Sequence, residues 1–294
     1  MAQNYSSGID YEDEKRIRSR IEELRRGRKI ITFVSGKGGV GKSNLAVNTA
    51  IALSQLGVRT LVADADFGLA DVDLLIGLKS KFSLRHFLSG EKKMFELAQL
   101  GFDGVRFISG GNGNSRMLRI SVDETERIMN GLRRIQLPID IIIIDGQAGA
   151  TDNLMKVLQL SDEAVVVTVP EPPAVTDSYS LIRNAKSRKV MPPFQVIINR
   201  VTDTADAASV ANAFLRLVGK EADETSISYI PEDPAVRRAV RRSEPCLISE
   251  PDSDFSRAVR QAARRLIGIP ENPEPEDAVD GMRTKIRKFF GSKL

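Results

Sequence analysis

Four glycines and two lysines crowd into eight residues, Gly36-Lys37-Gly38-Gly39-Val40-Gly41-Lys42-Ser43. The run follows a Val/Ile-rich stretch, Lys29–Ser35, and opens a helical pattern through Leu45, Val47, Ile51 and Leu53. Strand, glycine loop and helix in that order make a phosphate cradle. Glycines let successive backbone N–H groups turn inward around an anion, and the helix N-terminus adds its dipole. Lys42 is expected to reach the β- and γ-phosphates, and the Ser43 hydroxyl to join a Mg²⁺ shell. Gly36, Gly38, Gly39, Val40, Gly41 and Asn44 complete the expected phosphate contacts.

Six further runs have the Val/Ile content of strands buried on both faces: Arg59–Ala63, Val105–Ile108, Ile139–Ile144, Ala164–Val169, Phe194–Ile198 and Ser226–Ile230. Helical patterns separate them, so βαβ crossovers follow. The fold class is therefore α/β, a P-loop (Rossmann-like), mostly parallel sheet with helices on both faces. Asp64 and Asp66 fall at the end of the second run, and Asp145 ends the apolar run Ile141 to Ile144. Carboxylates at the C-terminal ends of adjacent parallel strands lie at the ligand edge of such sheets. Metal-held phosphates need oxygen ligands near Ser43, and hydrolysis needs a group that orients water. Asp66 is assigned to the water, and Asp64 and Asp145 to Mg²⁺, mostly through waters.

The base end of the site is expected after the Phe194–Ile198 strand, at Asn199-Arg200-Val201-Thr202. A guanine reader would carry an acid at position 202. Thr202 cannot accept from guanine N1 and N2, so ATP is favoured over GTP, with Asn199 against the adenine. Pro231, Glu232 and Asp233, followed by Pro234, come after the last strand and border the base.

Residues 1–28 form an arm in which Ile17, Ile21 and Leu24 recur at helical spacing, with Gly27 suited to a C-terminal cap. Two readings stand for it: a helix packed on the domain, or a partner-binding arm. Residues 29–268 make the nucleotide domain. Residues 269–280 carry Pro270, Pro273 and Pro275 among acids and form a linker. In residues 281–294, Met282, Ile286, Phe289 and Phe290 share one helical face amid Arg283, Lys285, Arg287, Lys288 and Lys293. That pattern fits a helix lying on an anionic membrane surface, or one docked on its own domain. Arg237, Arg238, Arg241 and Arg242 form a second basic patch, open to solvent, to a protein or to DNA.

Composition narrows the classes. Of 294 residues, 41% are hydrophobic, enough for a core, and the net charge of +4 alone does not indicate a nucleic-acid binder. Cys246 is the one cysteine, so a dimer offers two thiolates where a bridging iron–sulfur cluster takes four. A bacterial-type tyrosine kinase would want a tyrosine-rich tail, which this chain lacks. Met1 to Asp13 is polar and acidic, so no secretory signal is expected. His86 has no metal-spaced partner and is read as structural.

The glycine loop, Asp64-Ala65-Asp66 and the late Pro231-Glu232-Asp233-Pro234 together resemble the MinD/ParA ATPases. Asp64-Ala65-Asp66-Phe67-Gly68-Leu69-Ala70-Asp71-Val72-Asp73, Gly90-Glu91-Lys92, Ser109-Gly110-Gly111, the run Pro170 to Tyr179 and Asp233 to Val240 resemble the FlhG/FleN/YlxH branch. The resemblance spans residues 29–268. It implies slow ATP hydrolysis, with ATP/ADP and Mg²⁺ as cofactors. It also implies a homodimer in which Lys37 crosses to the partner's phosphates. Control of flagellar number and placement is implied too, from the cytoplasm and the inner face of the cell membrane. The implied partners are an FlhF-type GTPase, a flagellar transcription regulator or flagellar switch proteins. The arm lacks the Asp-Gln-Ala-type motif through which some members stimulate FlhF. Asp145-Gly146-Gln147-Ala148-Gly149 also departs from the family's usual Asp-Thr-Gly-Ala-Gly or Asp-x-Pro-Ala-Gly. The alternative function is a ParA-like partition ATPase that binds DNA nonspecifically.

Overall fold

Eight strands form one sheet in the computed structural model, which describes residues 11–66, 71–111, 120–218 and 227–269. They are β1 (Lys29–Ser35), β2 (Thr60–Asp64), β3 (Gln99–Leu100), β4 (Arg106–Ile108), β5 (Ile141–Ala148), β6 (Glu163–Thr168), β7 (Phe194–Val201) and β8 (Ile227–Pro231). Their spatial order is β3-β4-β2-β5-β1-β6-β7-β8. Every neighbouring pair is parallel except β3 with β4. From β1 the chain first moves to one side, through β2 and β4, and later to the other, through β6, β7 and β8. The end of β1 is therefore a switch point, where open α/β sheets bind ligands.

The central strands are covered on both sides, which is why they read as unbroken Val/Ile runs. Side chains of alternate residues go to opposite faces. Ile31, Phe33, Val62, Ile141 and Ile143 pack in one core with the helices Lys42–Gln55 and Asp254–Leu266. Ile30, Leu61, Ala63, Ile142 and Ile144 pack on the other face with the helix Val122–Arg133. Val34, Val166, Val196 and Ile198 extend that second face toward the helices Pro172–Ser187 and Thr204–Val218.

Most strand boundaries differ from the sequence expectation by one or more residues, and three of the differences bear on the site. Strand β5 does not stop at Ile144 but runs through Asp145 to Ala148. Strand β7 continues past Asn199 to Val201, across an irregularity between Ile198 and Val201 where Arg200 has φ +57°. Strand β2 ends at Asp64, so Asp66 lies beyond it. Strand β3, two residues long and antiparallel, is too short to leave a periodic signal.

The first helix, Tyr11–Arg25, buries Ile17, Ile21 and Leu24 in the same core as the Asp254–Leu266 helix. Arg264 and Asp13 form an ion pair at 2.5 Å, and Arg20 Nε donates to the Ile267 carbonyl at 2.6 Å. Its charged face stays outside, as an amphipathic surface helix requires. Ile21→Ala should cost about 2–4 kcal/mol through lost burial and the cavity left behind. Chemical denaturation reads it, and an unchanged midpoint would mean the helix contributes nothing to the fold.

Candidate functional site

The loop between β1 and the helix Lys42–Gln55 is shaped by contacts as well as by φ. A Cβ on Gly36 would lie 2.2 Å from the Asp177 carbonyl carbon and 2.3 Å from the Ser178 nitrogen. Gly36 therefore lets the Pro172–Ser187 helix approach, and it does not line the cavity. Gly41, at φ +90°, is the N-cap, so the first turn of the following helix has no side-chain cap. That turn carries no acid either. Its N–H groups and dipole are left for an anion.

Behind the loop lies a charged cluster. Lys42 Nζ donates to Asp145 Oδ1 at 2.5 Å, and the carboxylate is fully buried. Strand pairing sets Asp64 opposite Asp145 in register, on neighbouring β2 and β5. Asp64 Oδ1 accepts the Asp66 N–H at 2.9 Å and Oδ2 the Val72 N–H at 3.4 Å. Burial pushes the Asp64 carboxyl well above its usual range, and the Asp145 charge pushes it further. One lysine thus stands against two buried carboxylates. Lys42 Nζ also lies 3.4 Å from Ser43 Oγ.

In front of the loop is a cavity of about 970 Å³. Gly38, Gly39, Gly41, Lys42, Ser43, Asn44 and Asp66 line its inner end. Asn199, Arg200, Pro231, Glu232 and Asp233 line it from the β7 and β8 ends. Val40, Lys37, Asp64 and Asp145 stand outside the lining. Lys37 is about half-exposed, its Nζ 3.7 Å from the Glu171 carboxylate. Sequence reasoning missed the outer walls, which include Leu74, Val236, Val240 and Phe255. Arg237 and Arg241 were visible only as part of a basic patch, yet both line the cavity. Nothing in the spacing of those residues ties them to a loop some 200 positions away.

A nucleoside triphosphate with Mg²⁺ fits these residues. Asp145 Oδ2 and Ser35 Oγ are buried without a hydrogen-bond partner, and Ser35 faces the cavity. A cation shell and phosphate oxygens beside Ser43 would supply such partners. His86 Nδ1 accepts the Ser83 N–H at 3.1 Å, closing the first turn of the short helix Leu84–Leu88, which is a structural role. Met282, Ile286, Phe289 and Phe290 lie outside the described residues.

The ParA family model, described as NUBPL iron-transfer P-loop NTPase, matches residues 26–267. The chain belongs to the ParA/MinD family of P-loop NTPases. It is an ATPase, and its cofactors are ATP or ADP and Mg²⁺. The antiactivator FleN of Pseudomonas aeruginosa is 30% identical, over 83% of this chain and 89% of that protein. The flagellum site-determining protein YlxH of Helicobacter pylori is 29% identical, over 90% and 91%. The septum site-determining protein MinD of Bacillus subtilis is 30% identical, over 89% and 97%. Among solved structures, MinD complexed with Mg-ADP from Pyrococcus horikoshii shares the fold at a TM-score of 0.69. Identity there is 24%, over 81% of this chain and 96% of that one. The chain's one cysteine, Cys246, is free and buried.

The raised Asp64 value has a stability consequence. Folding favours its acid form, so its contribution is intact at acid pH and is lost as pH rises through the raised value. In nucleotide-free protein, Asp64→Asn should therefore melt higher than wild type at pH 8, with the gap closing toward pH 4. A wild-type protein that melts as high as the variant at pH 8 would contradict this charge arrangement.

Proposed function

We propose that this ATPase is an ATP-dependent dimerising switch that cycles between the cytoplasm and the inner face of the cell membrane and sets flagellar number or placement. The observation that carries the switch is the split between the loop's two lysines. Lys42 is buried on Asp145, while Lys37 stands on the outer rim beside Glu171 and outside the cavity lining. A rim lysine of this kind suits the phosphate site of a second copy better than its own.

Mg-ATP supplies the anhydride bond that is broken and the cation that shields its charge. Lys42 leaves Asp145 for the β- and γ-phosphate oxygens, and the N–H groups of the loop and the first helical turn hold the rest. The Ser43 hydroxyl would serve as a cation ligand, and Asp64 and Asp145 would hold waters around the cation. Asp66, hydrogen-bonded through its N–H to Asp64, orients the attacking water. Arg200, Pro231, Glu232 and Asp233 border the base. Hydrolysis resets the pair to monomers.

Similarity to FleN and YlxH supports the flagellar reading, together with the branch-like blocks in the sequence. Partners on that reading are an FlhF-type GTPase, a flagellar transcription regulator or switch proteins. The membrane arm rests on the Met282, Ile286, Phe289 and Phe290 face. Among the described residues no helix is long and apolar enough to cross a membrane, which fits attachment at the surface. One short basic helix binds weakly, and two joined by dimerisation gain avidity. The DNA-binding alternative would draw on the Pro234–Arg242 helix. There Arg237 is paired with Glu232, and Arg238 and Arg242 with Glu250. Those pairings favour the membrane reading.

Asp66→Ala should accumulate an ATP-bound dimer with hydrolysis reduced at least about tenfold, a barrier change near 1.4 kcal/mol. Hydrolysis at the wild-type rate would remove Asp66 from the water-orienting role. Sedimentation with anionic vesicles should show ATP-dependent binding of the full chain that ADP does not support and that truncation at Asp280 abolishes. Binding in neither nucleotide state would end the membrane reading and turn attention to ATP-dependent, salt-sensitive DNA binding.

A further inference from the structure

We propose that Asp73 is a positioning residue for hydrolysis, holding the segment that carries Asp66 against Asp64 by way of Ser109. The inference rests on the water-orienting reading of Asp66 and adds the group that keeps its segment in place. The chain leaves β2 at Asp64, passes Asp66 and comes back as a short helix, Asp71–Leu75, whose Leu74 and Leu75 line the cavity. Five residues are too few to hold a helix in water by themselves. Val72 and Ile76 pin one side of this turn in the core, while Leu74 is 72% exposed.

Asp73 pins another side. Its Oδ2 accepts the Ser109 hydroxyl at 2.7 Å and its Oδ1 the Ser80 hydroxyl at 3.0 Å. The residue is buried, and burial pushes its carboxyl above the usual range while the two hydroxyls pull it back. Ser109 is itself fixed just past β4. Its carbonyl accepts the Leu84 N–H at 3.0 Å, and its Oγ accepts the Gly111 N–H at 3.2 Å. Between these two, Gly110 runs against β2, where an added Cβ would lie 2.8 Å from the Asp64 carbonyl oxygen. The contacts close a ring. Asp64 takes the Asp66 and Val72 N–H groups, Asp73 follows Val72 and takes the Ser109 hydroxyl, and Gly110 returns to Asp64. The Val72 bond, at 3.4 Å, is long for its type, so the 2.7 Å bond from Ser109 to Asp73 is the firm link.

Asp73 does not line the cavity, so it reaches the reaction only through the segment it holds. Nucleotide binding draws on Lys42 and the loop N–H groups, which Asp73 does not hold. Hydrolysis draws on Asp66, whose segment it does hold. A loss at Asp73 should therefore separate the two. Full-length wild type, Asp73→Ala, Asp73→Asn, Ser109→Ala and Asp66→Ala should be compared in three measurements. These are Mg-ADP affinity by calorimetry, steady-state ATP hydrolysis, and amide hydrogen exchange at Val72 in nucleotide-free protein. Asp73→Ala should lose about tenfold in kcat, with Mg-ADP affinity within about twofold of wild type and faster exchange at Val72. Ser109→Ala should lose less, since Ser80 keeps one bond to Asp73. Asp73→Asn should recover most of the rate, because an amide accepts from one serine hydroxyl and donates to the other. In the Asp66→Ala background, Asp73→Ala should slow hydrolysis no further.

Wild-type kcat in Asp73→Ala would overturn the proposal. So would a fall in Mg-ADP affinity as large as the fall in kcat, which marks a residue that supports the whole site. Losses that multiply in the Asp66→Ala/Asp73→Ala double variant would overturn it as well. If Asp73→Ala does not fold, Ser109→Ala decides, and a wild-type rate there overturns the proposal. Hydrolysis by Asp66→Ala at the wild-type rate would instead remove the reading of Asp66 on which the proposal rests.

Discussion

A single buried ion pair, Lys42 with Asp145, organises the chemistry of this molecule. Taking both charges out of water costs several kcal/mol each, and a third ionisable group stands beside them. That third group is Asp64, set level with Asp145 by the β2–β5 register and held there by the Asp66 and Val72 N–H groups. Burial and the Asp145 charge hold that carboxyl toward its acid form, so full ionisation of the pair calls for added positive charge beside it. The uncapped start of the Lys42–Gln55 helix is in turn open to an anion. A metal-bound polyphosphate meets both at once. On the proposed reading, Lys42 is the residue that changes allegiance, from carboxylate to phosphate.

The sheet makes this geometry possible. β1 lies between β5 and β6, and its C-terminal end delivers the glycine loop where the strand connections diverge. Each side then contributes something different. β2 and β5 bring the carboxylates, β7 and β8 bring one wall of the cavity, and the start of the Pro172–Ser187 helix brings Glu171 to the rim lysine. The backbone contact at Gly36 shows how tightly that helix is drawn in. A larger residue there would push the helix away and move Glu171 with it. Phosphate loop, rim lysine and helix start are thereby one packed unit.

Much of this was legible in the order of residues. β1, β2 and β6 read as strands because burial on both faces leaves little except Val, Ile and small residues. The glycine loop was legible because only that spacing of small residues lets backbone N–H groups converge. The first helix was legible from Ile17, Ile21 and Leu24, which all turn inward. The extensions of β5 and β7 were not legible. Asp145 and Asn199 are polar and look like residues outside strands, yet both stay in the ladder because a lysine and a carbonyl satisfy them. Polar residues buried in a strand make sense only once their distant partners are known. The outer cavity walls were hidden for a related reason. Leu74 and Val240 come from segments whose meeting is decided by packing, and neither carries a local pattern that announces it.

The central claim is that Lys42 trades Asp145 for the phosphates of a Mg²⁺-bound adenine nucleotide. Calorimetric titration of Mg-ATP into wild-type protein and Lys42→Met tests it most directly. The account predicts saturable, Mg²⁺-dependent binding to wild type and loss of at least about a hundredfold in the variant, which removes the charge while keeping most of the stem. Equal affinity in the two proteins would contradict it, since the buried lysine would then be a structural partner of Asp145 and nothing more.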